Sequence, residues 1–110
     1  MIKVRYDRDE NKLTVQGHAK SNAYGRDLVC AAASTLAVTM SVNVRFLADG
    51  GYVENPVIKL EEGYAEISCK AAANYAESVR QVFMSVCVGF EMLAAEYPDY
   101  ISYTCLSGNS

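Results

Sequence analysis

Two residues that could act together in catalysis lie close in the sequence, a histidine and a cysteine. His18 is the only histidine in the 110-residue chain, and Cys30 is one of four cysteines. An imidazole within reach of a thiol can accept its proton and so activate the sulfur as a nucleophile. The two residue types therefore predict cysteine-dependent chemistry, provided that the fold brings them together.

The elements on either side of this pair are predicted to position it. Alternating apolar residues predict a strand over residues 12–18, and apolar spacing of three and four predicts a helix over residues 27–47. Asp27 suits the N-cap of that helix, which places Cys30 in its first turn. Unpaired backbone N–H groups and the helix dipole there favour the thiolate. Ser34 lies one turn further along the same face.

The segment between the strand and the helix, residues 19–26, has no apolar period and reads as a loop. It is longer than most connections, so it is either a segment that moves or binds, or an ordinary surface connection. Gly25 could act as its hinge. Gly17, at the strand end, either opens the site wall to a substrate backbone or marks a strand-end bulge.

The remainder of the chain predicts an α+β fold. Pro56 predicts an edge or bulge in the third strand, and Asn74 with Glu77 resembles a capping box that opens a second helix. The order is β-β-α-β-β-α-β, in a single domain over residues 1–110, with an antiparallel or mixed sheet packed with two helices. The predicted strands are 2–6, 12–18, 52–60, 64–70 and 100–106, and the second helix ends before Pro98.

Composition excludes several functional classes. Hydrophobic residues make up 51% of the chain and charged residues 21%, with a net charge of −3, which is typical of a globular protein. No cluster of Lys or Arg predicts a nucleic-acid-binding surface. The N-terminus lacks the apolar region of a signal peptide, and no stretch approaches the roughly 20 apolar residues of a membrane span. We therefore expect a cytoplasmic protein without a membrane partner.

The cysteines do not predict a metal site or a disulfide framework. There is no C-x-x-C pair and only one histidine, so closely spaced zinc ligands are missing, and we expect no metal and no cofactor. Cys69, Cys87 and Cys105 fall on predicted inward faces, where thiols behave as small hydrophobic groups. A thiol redox role would need a resolving cysteine near Cys30, and none lies near it in the sequence. From these residues alone, a structural role for Cys30 is favoured over a catalytic one.

A family resemblance reverses that preference. The residues Gly17-His18-Ala19, Gly25, Asp27, Val29 to Ala32 and Ser34 resemble the signature of the bacterial ribosomal-processing cysteine protease family, Prp. Ala33 departs from the pattern, because many members carry a larger aliphatic residue there. This difference affects packing and leaves the chemistry unchanged.

The resemblance implies a homodimeric cysteine endopeptidase that removes a short N-terminal extension from the precursor of a large-subunit ribosomal protein. It implies Cys30 as nucleophile, His18 as base and Asp27 as a possible helper, although capping alone explains an aspartate at this position. Gly17, Ala19, Gly25 and Ser34 are implied as the substrate loop and site wall. The alternative is a non-enzymatic dimeric ribosome-assembly or binding module.

Overall fold

The chain folds into a five-stranded mixed sheet. The computed structural model describes residues 1–17 and 24–107, and for residues 24–27 it describes the backbone alone. The strands lie in the order β3-β4-β2-β1-β5. Neighbours pair antiparallel except β1 and β5, which are parallel. The elements are β1 Ile2–Asp7, β2 Lys12–Gln16, α1 Tyr24–Asp49, β3 Val53–Glu61, β4 Tyr64–Ala71, α2 Ala76–Glu96 and β5 Ile101–Leu106.

Side-chain alternation explains why the sheet has one covered face. Successive residues of a strand point to opposite faces, and in β1 the buried residues alternate with exposed ones. The helices cover the buried face: α1 contacts β3 and β4, and α2 contacts β5 and α1. The ring of Tyr6 stacks on Phe83 of α2, with centroids 5.6 Å apart. The predicted α+β fold, element order and helix count are confirmed.

The third strand carries the irregularity that Pro56 predicts. The pairing of β3 with β4 shifts register between Glu54 and Val57. Proline lacks the N–H that a regular ladder needs, so the strand bulges there. Because β3 lies at the edge of the sheet, the prediction of an edge or bulge is confirmed in both respects.

The predicted start of α1 is wrong. The helix begins at Tyr24, so Asp27 is its fourth residue and is not the N-cap, and the connection before it ends at residue 23. Aspartate is favoured both at the N-cap and within the first turn, so its presence does not fix the boundary. Gly25 lies in the first turn of α1, where backbone N–H groups have no hydrogen-bond partner within the helix.

The predicted capping box of α2 is also wrong. Tyr75 is the N-cap and makes no side-chain capping hydrogen bond. Asn74 precedes it with φ of 75°, a left-handed conformation that asparagine tolerates better than most residues. Asn74 therefore turns the chain into the helix instead of capping it.

Two helices reach the length and mean hydropathy of a membrane span, so the expectation that no stretch does is wrong. They are Leu28–Asp49 and Ala76–Glu96. Counting uninterrupted apolar residues missed them, because small polar residues interrupt each run without lowering its mean hydropathy much. One side of each helix supplies buried residues to the core against the sheet, as core helices of water-soluble proteins also do.

Candidate active site

The candidate site is a small cavity between α1 and one end of the sheet. Cys30 lies in the second turn of α1 and is partly buried. It lines a cavity of about 110 Å³ together with Gly17 and Ser34. The other lining residues are Ile2, Val15, Ala33, Ala37, Glu61, Gly63, Tyr64 and Ala65. The structure thus brings three of the predicted site residues to one cavity.

Gly17 is fixed at the cavity by its backbone. Its φ is +99°, and a Cβ there would lie 2.5 Å from the carbonyl oxygen of Met1. Its N–H donates a hydrogen bond to the carbonyl oxygen of Gly63 at 2.8 Å. Both a positive φ and close approach of another backbone require glycine. The end of β2 is therefore held between the backbone of Met1 and the turn that joins β3 to β4.

Several predicted site residues lie outside the part of the chain that the structure describes. These are His18 and Ala19, together with the rest of residues 18–23. Of Gly25 and Asp27 only the backbone is described, and both belong to the first turn of α1. His18 directly follows Gly17 in the sequence, so the chain enters residue 18 from the wall of the Cys30 cavity.

The sequence prediction placed the N-cap of α1 at Asp27, and so placed Cys30 among the unpaired N–H groups of the first turn. With α1 beginning at Tyr24, the N–H groups without helical partners belong to residues 24–27. The predicted stabilisation of a thiolate by the helix terminus therefore does not apply at Cys30.

The sequence interpretation missed the contribution of the β3–β4 turn. Glu61, Gly63 and Tyr64 reach the cavity because Gln16 pairs with Tyr64 in the sheet. The Glu-Glu-Gly segment signals a turn, but a turn signal does not say which strand end it lies against. The Tyr64 hydroxyl donates to the Glu66 carboxylate at 2.7 Å, which raises the pKa of Tyr64 and lowers that of Glu66.

The remaining cysteines differ from Cys30 in their surroundings, and all four are thiols. Cys69 and Cys87 are buried as predicted, and burial raises the pKa of each to about 11. Cys105 is exposed, so its predicted burial is wrong. It shares a face with Tyr6, which is its parallel partner, but β5 is an edge strand and leaves it open to solvent.

Among the residues that the structure describes, no group of three or more His, Cys, Asp or Glu side chains could hold a metal ion. The arrangement thus offers a cysteine at a cavity, next to a strand end that leads into a histidine. Such an arrangement suits covalent catalysis by a thiol.

Comparison with known proteins decides the family. The family described as cysteine protease Prp matches residues 1–102. The chain belongs to this family. The enzymatic prediction, a cysteine protease, is therefore confirmed over a non-enzymatic binding module. No curated protein sequence matches the chain.

Solved structures share the Prp fold with this chain. SMU.848 from Streptococcus mutans is 25% identical with a TM-score of 0.71, over 96% of this chain and 92% of that one. The ribosomal processing protease Prp from S. aureus, in complex with a substrate peptide, is 21% identical with a TM-score of 0.68. The same protein with a covalently linked product peptide is 23% identical, also with a TM-score of 0.68. Both S. aureus comparisons cover 96% of this chain and 100% of that one.

Proposed function

We propose that this protease acts in the cytoplasm and removes a short N-terminal extension from the precursor of a large-subunit ribosomal protein. Cys30 is the nucleophile and His18 the general base. The observation that carries this assignment is the shared cavity, which Cys30 and Gly17 line together. Since consecutive Cα atoms are about 3.8 Å apart, His18 follows directly from that wall. The S. aureus relative is named as a ribosomal processing protease, which supports the substrate class.

The reaction follows from these residues. His18 takes the proton of the Cys30 thiol, and the sulfur attacks the scissile carbonyl to form a tetrahedral intermediate. His18 then gives the proton to the leaving amine, and the C–N bond breaks to leave a thioester on Cys30. Water, deprotonated by His18, hydrolyses the thioester and restores the thiol. Asp27 has lost its capping role, so orientation of His18 is the role that we propose for it.

The cavity favours small or narrow groups beside the nucleophile. Its walls include Ala33, Ala37 and Ala65, as well as Gly17 and Gly63. A volume of about 110 Å³ beside these small residues leaves room for a stretch of peptide backbone to reach the Cys30 sulfur. Residues 19–23, which lie outside the described residues, are proposed as the segment over the bound peptide. Residues 24–26, which the sequence assigned to the same loop, belong to α1.

The test is incubation with ribosomal protein precursors from the same organism, followed by mass measurement of the products. We expect one precursor to lose a short N-terminal peptide. Cys30→Ala and His18→Ala should each abolish the cleavage without loss of the folded state. Cys105→Ala is the matched control, since Cys105 is also accessible but does not line the cavity, and it should cleave normally. Cleavage by folded Cys30→Ala would contradict the proposal.

We further propose that the protease is a homodimer that pairs through the outer face of the helices. On α1 this face exposes Val38, Val42 and Phe46, with Phe46 69% accessible, and on α2 it exposes Val88 and Met92. The sequence carries no charged residue from Leu28 to Val44. An uncharged, apolar helix face of this kind is unusual on a monomer and typical of a subunit interface.

Sedimentation of a charged variant tests the homodimer. Val42→Glu should shift the protein to monomer, because an unpaired carboxylate would be buried at the interface. Leu60→Glu is the control, since Leu60 is equally exposed on the edge strand β3, away from the helices, and should remain dimeric. A Val42→Glu protein that sediments as wild type would exclude this face as the interface.

A further inference from the structure

Three buried polar atoms lack a hydrogen-bond partner among the described residues. They are the hydroxyl of Tyr6, Nε of Arg8 and Nε of Arg80. Leaving a buried donor unpaired is destabilising, and more so for a charged group. Most buried polar groups in native proteins are paired, so an unpaired set requires an explanation.

All three atoms belong to one region, beyond the carboxyl ends of the parallel strands β1 and β5. Tyr6 is in β1, and Arg8 follows that strand and donates its backbone N–H to the carbonyl oxygen of Leu106 at the end of β5. Arg80 lies in the second turn of α2, three residues before Phe83, on which the Tyr6 ring stacks. Residues three apart share a helix face, so Arg80 lies on the Tyr6 side of α2.

Two guanidinium groups supply hydrogen-bond donors to this region, and carboxylates flank Arg8 in the sequence at residues 7, 9 and 10. Arg80 has one carboxylate neighbour, Glu77, at 3.5 Å between Nη1 and Oε2, and the Glu77 side chain is 72% exposed. No ion pair of Arg8 occurs within the described residues. The first turn of α2 adds backbone N–H groups that no side chain caps.

The state of Tyr6 makes it a donor. The pKa of Tyr6 is raised to about 12, chiefly by burial and also by the nearby thiols of Cys87 and Cys105, while Arg8 and Arg80 act in the opposite direction. The hydroxyl therefore keeps its proton at neutral pH. Tyr6 is fully buried, so its position is held by the core and not by solvent.

We propose that Tyr6, Arg8 and Arg80 form a binding site for a phosphate-type oxyanion, either free phosphate or the phosphate of an ester. Guanidinium groups bind such oxyanions through paired N–H donors, and ligands commonly bind beyond the carboxyl ends of parallel strands. The site is separate from the protease cavity. Ile2, which lines that cavity, lies four residues before Tyr6, about 13 Å along the strand.

Titration of the full chain with inorganic phosphate tests the site, at ionic strength held constant with chloride. Wild type should bind saturably, and Arg8→Gln and Arg80→Gln should each bind at least about tenfold more weakly, since a hydrogen bond to a charged group is lost. Arg45→Gln is the control, because Arg45 is an exposed arginine on α1, and it should bind as wild type. The same response in all four proteins, or none in wild type, would overturn the proposal.

A second variant keeps the test decisive if an arginine variant fails to fold. Tyr6→Phe retains the stacked ring and removes only the unpaired hydroxyl. Without phosphate it should be at least as stable as wild type, and with saturating phosphate wild type should become the more stable. A stability difference that is independent of phosphate would contradict the site.

Two further ligands identify what the site takes. Acetate at equal ionic strength should stabilise wild type less than phosphate, and equal stabilisation would overturn the assignment of a phosphate-type oxyanion. A nucleoside monophosphate distinguishes the sources. Tighter binding than inorganic phosphate would assign the site to an ester, and weaker binding would assign it to free phosphate.

Discussion

Cys30 lies on α1 and Cys87 on α2, and both helices pack against the same sheet. The surroundings of the two thiols nevertheless predict opposite reactivity. Cys30 is partly exposed at a cavity and adjoins the strand end that precedes the only histidine. Cys87 is 2% exposed within the core, where burial raises its pKa to about 11. We expect access and a neighbouring base, and not helical position alone, to distinguish a reactive thiol from a structural one.

The largest expected difference between the two regions is in activity. Cys30→Ala should lower the rate of precursor cleavage by at least about a thousandfold, as loss of a covalent nucleophile does. Cys87→Ala and Cys69→Ala should cleave at rates near that of wild type at a temperature where they are folded. Cleavage rates of the three purified variants, with circular dichroism to confirm folding, check this. An inactive but folded Cys87→Ala would remove the distinction between the two regions.

Thiol alkylation by iodoacetamide gives the next largest difference. A pKa of about 11, against an ordinary value of 9.0, reduces the thiolate fraction at pH 8 about a hundredfold. Cys69 and Cys87 should therefore react about a hundred times more slowly than an unperturbed thiol, and Cys30, which lines an open cavity, should react faster than either. Because the raised pKa favours the neutral thiol, reaction of the core cysteines should keep rising with pH up to about 11. Peptide mapping by mass spectrometry measures each rate, and equal rates at all sites would contradict a special environment for Cys30.

The backbone clamp at the site predicts a smaller effect, on stability. Gly17→Ala has to adopt a positive φ and also meets the Met1 carbonyl, whereas Gly51→Ala adopts φ of +80° with open space around it. Positive φ costs about 1–2 kcal/mol in both variants. The 2.5 Å approach to the Met1 carbonyl oxygen occurs only in Gly17→Ala, and this overpacking should cost at least about 1 kcal/mol more than Gly51→Ala. Urea unfolding of the two variants gives the difference. Equal costs would mean that the strand end is not clamped.

The smallest expected effect is a difference in the free energy of unfolding between a variant of a buried cysteine and a variant of the exposed Cys105. Cys69→Ser places a hydroxyl at a buried position where burial is the cause of the raised thiol pKa, and should lower the free energy of unfolding by about 1–3 kcal/mol. Cys105→Ser, at an exposed position, should stay within about 0.5 kcal/mol of wild type. Thermal unfolding of both variants measures this, and a larger loss for Cys105→Ser would show that the edge strand is more tightly packed than its exposure indicates.

Most of the fold follows from local patterns. Alternation in β1, β2 and β4 and the regular apolar spacing of α2 are strong signals, and Pro56 marks its own irregularity in β3. Helix starts are weaker signals, since Asp27 and Asn74 are each compatible with more than one position near a helix N-terminus. Burial at the end of an edge strand is not a local property either. Alternation predicts the face of Cys105 correctly, but the absence of a further strand beside it leaves it exposed.

The candidate site was predictable in part. Cys30, Gly17 and Ser34, which the sequence singles out, line one cavity, whereas His18 lies outside the described residues and stays a prediction. The opposite wall depends on the pairing of β2 with β4, which brings Gly63 to Gly17 across 46 residues of sequence. No local signal encodes that register. The donor cluster of Tyr6, Arg8 and Arg80 also depends on tertiary packing, and was not predicted for the same reason.

The central claim is that the reactive thiol is Cys30 and that His18 activates it. It is tested most directly by a chloromethyl ketone built on the peptide that the protease releases, with the modified residue identified by mass spectrometry. The claim predicts a single adduct on Cys30 in wild type, formed much more slowly in His18→Ala. An adduct on Cys69, Cys87 or Cys105, or an equally fast adduct on Cys30 without His18, would contradict it.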